Sequence, residues 1–116
     1  MDRGEPDWGR VSACASGADA IGTALEVIRR GDAQAMITGG SEACVTRMGL
    51  ASFHAARALS TKRNDTPEYA SRPFDLERDG FVLAEGAATL ILEELEFAKE
   101  RGAPIIAEAV SYGQSA

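Results

Sequence analysis

The stretch Val11-Ser12-Ala13-Cys14-Ala15-Ser16-Gly17-Ala18-Asp19-Ala20-Ile21-Gly22 decides how this chain is read. A short apolar lead runs into a cysteine, small residues follow, and apolar positions then recur at Ile21, Leu25 and Ile28 with helical spacing. That pattern predicts a thiol at the first turn of a helix. Backbone N–H groups there have no intrahelical partner, and the helix dipole presents partial positive charge. Both favour thiolate over thiol, and the same N–H groups could hold an oxyanion. Two readings stand at this point: Cys14 as a nucleophile, or Cys14 as a small buried hydrophobe, the usual state of a free cysteine.

Working outward, the bulk properties exclude several classes. With 116 residues, 45% of them hydrophobic, the chain suits one globular unit. A net charge of −6 speaks against nucleic acid as a partner. No apolar run approaches the roughly 20 residues that cross a bilayer, so no membrane partner is expected. Met1 to Arg10 is polar, with Gly4, Pro6 and Gly9, and reads as coil rather than a signal or transit peptide. Cys14 and Cys44 are far apart and form no CxxC, which fits a reducing compartment; the cytoplasm is the expected location. His54 is the single histidine, so a His-based metal site is not expected.

The organisation is alternating. Arg10 to Ala13 reads like the last residues of a strand. Ser16 to Arg30 predicts a buried helix, with Asp19 in its first turn, Arg29 and Arg30 in its last, and Gly31 after it. Ala33 to Gly40 predicts a strand ending in glycines, followed by a loop at Thr46 to Gly49. Leu50 to Leu59 predicts a second helix. Ser60 to Pro73 is a long polar connection, and such loops are often functional. Gly80 to Leu92 is apolar enough for a strand covered on both faces. Glu93 to Arg101 predicts a short helix with Glu96 and Lys99 paired, and Pro104 to Tyr112 a final strand. The class is α/β, with Cys14 at the carboxyl end of the first strand, where open α/β sheets place their sites.

Other chemistries fit poorly. A hydrolase elbow has Gly two residues before and after its nucleophile, where this chain has Ser12 and Ser16. A redox role wants a second cysteine nearby, and Cys44 lies beyond the next strand, where packing is its expected role. Gly39-Gly40 lacks the spacing of a phosphate-binding loop. His54 lies mid-helix among apolar residues and reads as structural or surface.

Ordered blocks then carry a resemblance. They are Ser12-Ala13-Cys14-Ala15-Ser16-Gly17, Arg30-Gly31-Asp32-Ala33 and Ile37-Thr38-Gly39-Gly40-Ser41-Glu42-Ala43, then Phe53 with Arg57-Ala58-Leu59-Ser60-Thr61. Asn64-Asp65, Ser71-Arg72-Pro73-Phe74-Asp75, Arg78-Asp79-Gly80-Phe81-Val82, Glu85-Gly86-Ala87, Leu92-Glu93-Glu94-Leu95 and Tyr112-Gly113 continue the series. From residue 11 to the C-terminus this closely resembles the β-ketoacyl-acyl-carrier-protein synthases, type II, the elongating condensing enzymes of bacterial fatty-acid synthesis. The resemblance implies a thiolase-like fold, with residues 11–116 a partial synthase domain and residues 1–10 unmatched coil.

It also implies roles. Cys14 would accept an acyl chain from acyl carrier protein as a thioester, with its own N–H as an oxyanion donor. Decarboxylative condensation with malonyl-acyl carrier protein would follow, with no metal or redox cofactor. Phe53 matches an acyl-pocket residue, and Arg57 a basic residue that meets the acidic carrier protein. Lys62 and Arg63 would extend that patch; a solvated loop is the equal alternative for those two. The full-length enzyme would be a homodimer.

Two histidines and a lysine that serve condensation in the family belong to a second half of which only the apparent first strand, near Ile105 to Tyr112, is matched here, and the strands and helices before the cysteine are unmatched too. The chain therefore reads as an internal piece, expected not to turn over by itself. Its alternatives are a type II polyketide ketosynthase or a non-catalytic truncated chain.

Overall fold

The computed structural model describes residue 9 and residues 11–115. The helices α1 (Ser16–Arg29), α2 (Arg47–Ala55) and α3 (Leu95–Glu100), the strands β1 (Ala35–Glu42) and β2 (Gly86–Glu93), and 3-10 turns at Ala13–Ala15 and Pro67–Tyr69 make up its regular structure. The coil expected for residues 1–10 lies outside the described residues except at Gly9.

α1 follows its sequence signals. Gly22, Ala24, Leu25 and Val27 are buried: Ala24 and Val27 lie together on one face, while Gly22, on the opposite side of the helix, is covered by the Tyr112 ring. The remaining positions are half-buried or exposed, so the helix is covered on more than one side but not all round. It ends where expected. Gly31 takes φ +78, its N–H bonds the Ile28 carbonyl, and the Asp32 N–H bonds the Val27 carbonyl. This is the doubly bonded left-handed helix end that glycine favours. α3 ends in the same way through Gly102 at φ +70. It begins with the Glu94 carboxylate accepting the Phe97 N–H at 2.8 Å, and the expected Lys99–Glu96 pair forms at 2.8 Å.

β1 and β2 form a two-stranded sheet. Glu94 N–H donates to the Gln34 carbonyl at 2.9 Å, while Gly39 lies against Ala88 and Thr89, so the strands run antiparallel. At Gly39 the backbone takes φ +146, and a Cβ there would collide with the Ala88 carbonyl.

Several boundaries differ from the sequence reading. α2 starts three residues earlier than expected, because the Thr46 hydroxyl accepts the Gly49 N–H at 3.0 Å and turns the anticipated loop into a capped first turn. It stops at Ala55, where the chain enters a left-handed turn. The expected Gly80–Leu92 strand is divided: Phe81 makes an isolated parallel bridge with Leu59, and the ladder begins only at Gly86. Neither Arg10–Ala13 nor Pro104–Tyr112 forms a strand among the described residues. A strand is defined by its ladder, and among the described residues none pairs alongside these stretches; Ile106 is 98% and Val11 95% exposed.

Composition suggested one globular unit, but the chain divides into two. The first takes residues up to Ser41 together with Ala87 onward; the second is Glu42–Gly86. Within the second unit, side chains hold the long polar loop. The Asp79 carboxylate takes the Ser60 hydroxyl at 2.8 Å, the Thr61 N–H at 2.9 Å and the Lys62 N–H at 3.0 Å. Arg72 pairs with Asp75 at 2.7 Å, and the Phe53 and Phe81 rings meet edge-to-face at 5.2 Å.

Candidate active site

Cys14 is exposed in the 3-10 turn Ala13–Ala15, which leads directly into α1. The expectation of a thiol within the helix's first turn is thus sharpened: the tighter turn, closed by the Ala15 N–H on the Ser12 carbonyl at 3.2 Å, sets the sulfur just ahead of α1. The buried-hydrophobe reading fails on exposure. Ala13 is at φ +52, a left-handed position that an L-residue adopts at a cost of about 1–2 kcal/mol. Ser16 helps hold it, since its Oγ accepts the Ser12 N–H at 2.9 Å and donates to the Ala13 carbonyl at 2.8 Å.

Cys44 follows β1 and is half-buried. Partial desolvation pushes its thiol pKa up, and the neighbouring Glu42 carboxylate pushes it further. It holds its proton, consistent with the packing role expected of it.

The remaining candidates lie in the second unit. Phe53 on α2 is 37% exposed and packs its edge on Phe81. Arg57 and Lys62 are exposed. The Arg63 side chain is 25% exposed and pairs with Glu77 at 3.6 Å, so its charge is partly engaged within its own unit. His54 is exposed in the last turn of α2. Among the described residues no cluster of His, Cys, Asp and Glu could hold a metal ion, and no helix is long and apolar enough to cross a membrane.

Arg57 has a feature that spacing does not show. α2 ends with the Arg57 N–H on the His54 carbonyl at 2.9 Å and the Ala58 N–H on the Phe53 carbonyl at 3.0 Å. This is the helix end that α1 and α3 build on glycine, yet here an arginine takes φ +56. Ala13 and Arg57 are the non-glycine residues at positive φ among the described residues, and they fall at Cys14 and at the candidate carrier contact. Strain of this kind collects at functional positions.

Asp79 was missed as an organising residue. The signal was its place beside Gly80, opposite Ser60-Thr61, since Asp readily accepts backbone N–H groups in turns. Those hydrogen bonds, led by the Lys62 N–H, hold its pKa down to about 2. A carboxyl with a depressed folded pKa stabilises fully above its unfolded value and loses that contribution as pH falls through the folded one. The second unit is therefore expected to loosen as pH falls from about 4 to about 2. Hydrogen exchange at the Thr61 and Lys62 amides measures this, and Asp79→Asn should show the fast exchange at neutral pH.

The comparisons decide the family. Residues 6–98 match the family described as Beta-ketoacyl synthase, N-terminal domain. The chain belongs to the β-ketoacyl synthases. It is 54% identical over 110 residues to the 3-oxoacyl-[acyl-carrier-protein] synthase 2 of Rhizobium meliloti (strain 1021), covering 95% of this chain and 26% of that protein. A solved β-ketoacyl synthase from Burkholderia phymatum STM815 matches at 51% identity and TM-score 0.72, over 79% of this chain and 22% of the other. A solved type II PKS acyl-carrier protein in complex with its ketosynthase bound to the hexaketide matches at 51% identity and TM-score 0.74, over 78% and 22%. The β-ketoacyl synthase chain described here spans about a quarter of the length of the curated relative it matches. Its α/β architecture is part of a thiolase-like fold.

Proposed function

We propose that this chain is the nucleophile-bearing part of a 3-oxoacyl-[acyl-carrier-protein] synthase, residues 11–116 forming part of the synthase domain. Cys14 attacks the carbonyl carbon of an acyl thioester on acyl carrier protein. The new C–S bond to Cys14 forms, the carrier's C–S bond breaks, and the carrier leaves as a thiol with the proton that Cys14 gave up. Condensation of the acyl-enzyme with malonyl-acyl carrier protein, with loss of carbon dioxide, then needs groups beyond those assembled here. Cytoplasmic location, a homodimer and the absence of any cofactor belong to this reading of the whole enzyme.

The observation that carries the proposal is the exposed Cys14 on its left-handed turn in a chain of this family. Incubation with acyl-acyl carrier protein followed by peptide mass mapping tests it. An acyl adduct on the Cys14 peptide and none on the Cys44 peptide is expected; the reverse distribution overturns the assignment.

In the same proposal Phe53 lines the acyl pocket, while Arg57 and Lys62 face the acidic carrier, with Arg63 dividing its charge between the carrier and Glu77. Because Arg57 holds a position suited to glycine, Arg57→Gly separates folding from binding. It should stabilise the chain by about 1 kcal/mol while weakening carrier-protein binding several-fold. Thermal unfolding beside a carrier titration reads both, and a variant that binds the carrier as tightly as the parent sinks the assignment of Arg57. The ketosynthase relative solved with its acyl-carrier protein and a hexaketide favours a second reading, a type II polyketide role. Transfer from a polyketide carrier in preference to a fatty-acid carrier would select it.

A further inference from the structure

The turn that carries Cys14 is tethered to a segment far along the chain. Tyr112, 93 residues beyond Asp19, donates its hydroxyl to one oxygen of the Asp19 carboxylate. The other oxygen of that carboxylate accepts the Ser12 hydroxyl. The Tyr112 ring lies on Gly22, where any Cβ would collide with it. Asp19 and Gly22 are three residues apart on α1 and share a face, so one aromatic side chain touches both. Two turns along, the Arg29 guanidinium donates to the Val110 carbonyl, so the 110–112 segment is held to α1 at two places.

Ser12 is the residue from which the turn starts. Its hydroxyl is held by Asp19 and its N–H by Ser16, and the next residue is Ala13 in its left-handed conformation. Left to itself, Ala13 would relax to negative φ and Cys14 would swing with it. We infer that Asp19 and Tyr112 are positioning residues for Cys14, the Tyr112–Asp19–Ser12 tether keeping Ala13 left-handed so that the sulfur is presented ahead of α1. They act through the turn rather than on the reacting atoms. The inference rests on the reading of Cys14 as the acyl acceptor, and it adds what holds that acceptor in place. Tyr112 stands in a stretch that the sequence reads as a strand, so its part in the nucleophile's turn comes only from the fold.

The test uses the 116-residue chain with Cys44→Ala, leaving Cys14 as its one thiol. Tyr112→Phe removes the hydroxyl and keeps the ring on Gly22; Ser12→Ala cuts the tether at its other end. Two quantities are read in each: the HN–Hα coupling of Ala13, which reports φ, and the acyl-transfer rate at Cys14. Each single variant should change the coupling and slow transfer by about threefold or more. The double variant should be no slower than the worse single one, because both cut the same tether, whereas independent packing losses would multiply. An unchanged Ala13 coupling in Tyr112→Phe, or multiplying effects in the double variant, overturns the inference. If the parent shows no transfer at Cys14, the acceptor reading fails, while the coupling and its dependence on both ends still decide the tether.

Discussion

Cys14→Ala should reduce acyl transfer onto the chain to background, a loss of at least about 10³-fold, the scale seen when an enzyme's nucleophile is removed. The argument is chemical. A thioester carbonyl can pass its acyl group only to an atom that displaces the carrier's sulfur, and the methyl group of alanine has no lone pair to offer. Cys44 is the poorer nucleophile, because partial desolvation and the Glu42 carboxylate push its thiol further toward the protonated form. Since Cys14 is exposed, the substitution should change stability by less than about 0.5 kcal/mol. Loss of transfer without loss of fold is thus the expected signature. It is read by intact mass after exposure to the acylated carrier, beside the circular dichroism of the same sample. An adduct of undiminished yield in Cys14→Ala would move the chemistry elsewhere in the chain.

Gly39→Ala should produce the largest fall in stability, about 4 kcal/mol. Two penalties combine. The backbone at φ +146 belongs to a region that residues with a Cβ scarcely occupy, and the added methyl would enter the space of the Ala88 carbonyl on the paired strand. Relieving either means moving β1 away from β2, which gives up ladder bonds. Stability of about 0.05–0.15 kcal/mol per residue is typical, so a loss of this size is a large part of the whole. Gly31→Ala serves as the comparison. Gly31 has φ +78 but open space about its Cβ position, and its replacement should cost about 1 kcal/mol. A urea midpoint for Gly39→Ala no lower than that of Gly31→Ala would show that close approach to β2 does not govern this position.

Much of the local structure was legible in the sequence, and the reason is physical. α1, its glycine stop and the Glu96–Lys99 pair depend on neighbours within a turn or two, and their signals lie side by side in the chain. The Cys14 candidate was legible on the same footing. What depends on distant partners was not. The stretch from Gly80 to Leu92 has one composition throughout, yet Phe81 bridges to Leu59 while the ladder starts at Gly86. Composition cannot say where a strand meets its partner. The left-handed state of Arg57 was hidden because arginine carries no such preference, and the Asp79 clamp because the donors to its carboxylate are loop amides 17 and 18 residues away. For the divided strand and the Asp79 clamp the missing information was a long-range contact; for Arg57 it was a local turn that its residue type does not signal.

The Val45 N–H donates to the Glu85 carboxylate at 2.9 Å across 40 residues, close to where the second unit leaves β1 and rejoins β2. Joining the two strands through a flexible loop of that length would cost about 3 kcal/mol in chain entropy. The second unit removes most of that cost in advance: once Asp79, the Phe53–Phe81 contact and the Glu85 carboxylate have formed, Glu42 and Gly86 are already brought together. β1 and β2 then close like neighbours on a short hairpin rather than like distant segments. The expected order of folding is therefore the intervening unit first and the sheet second, with the Thr61 and Lys62 amides gaining exchange protection before those of β1 and β2.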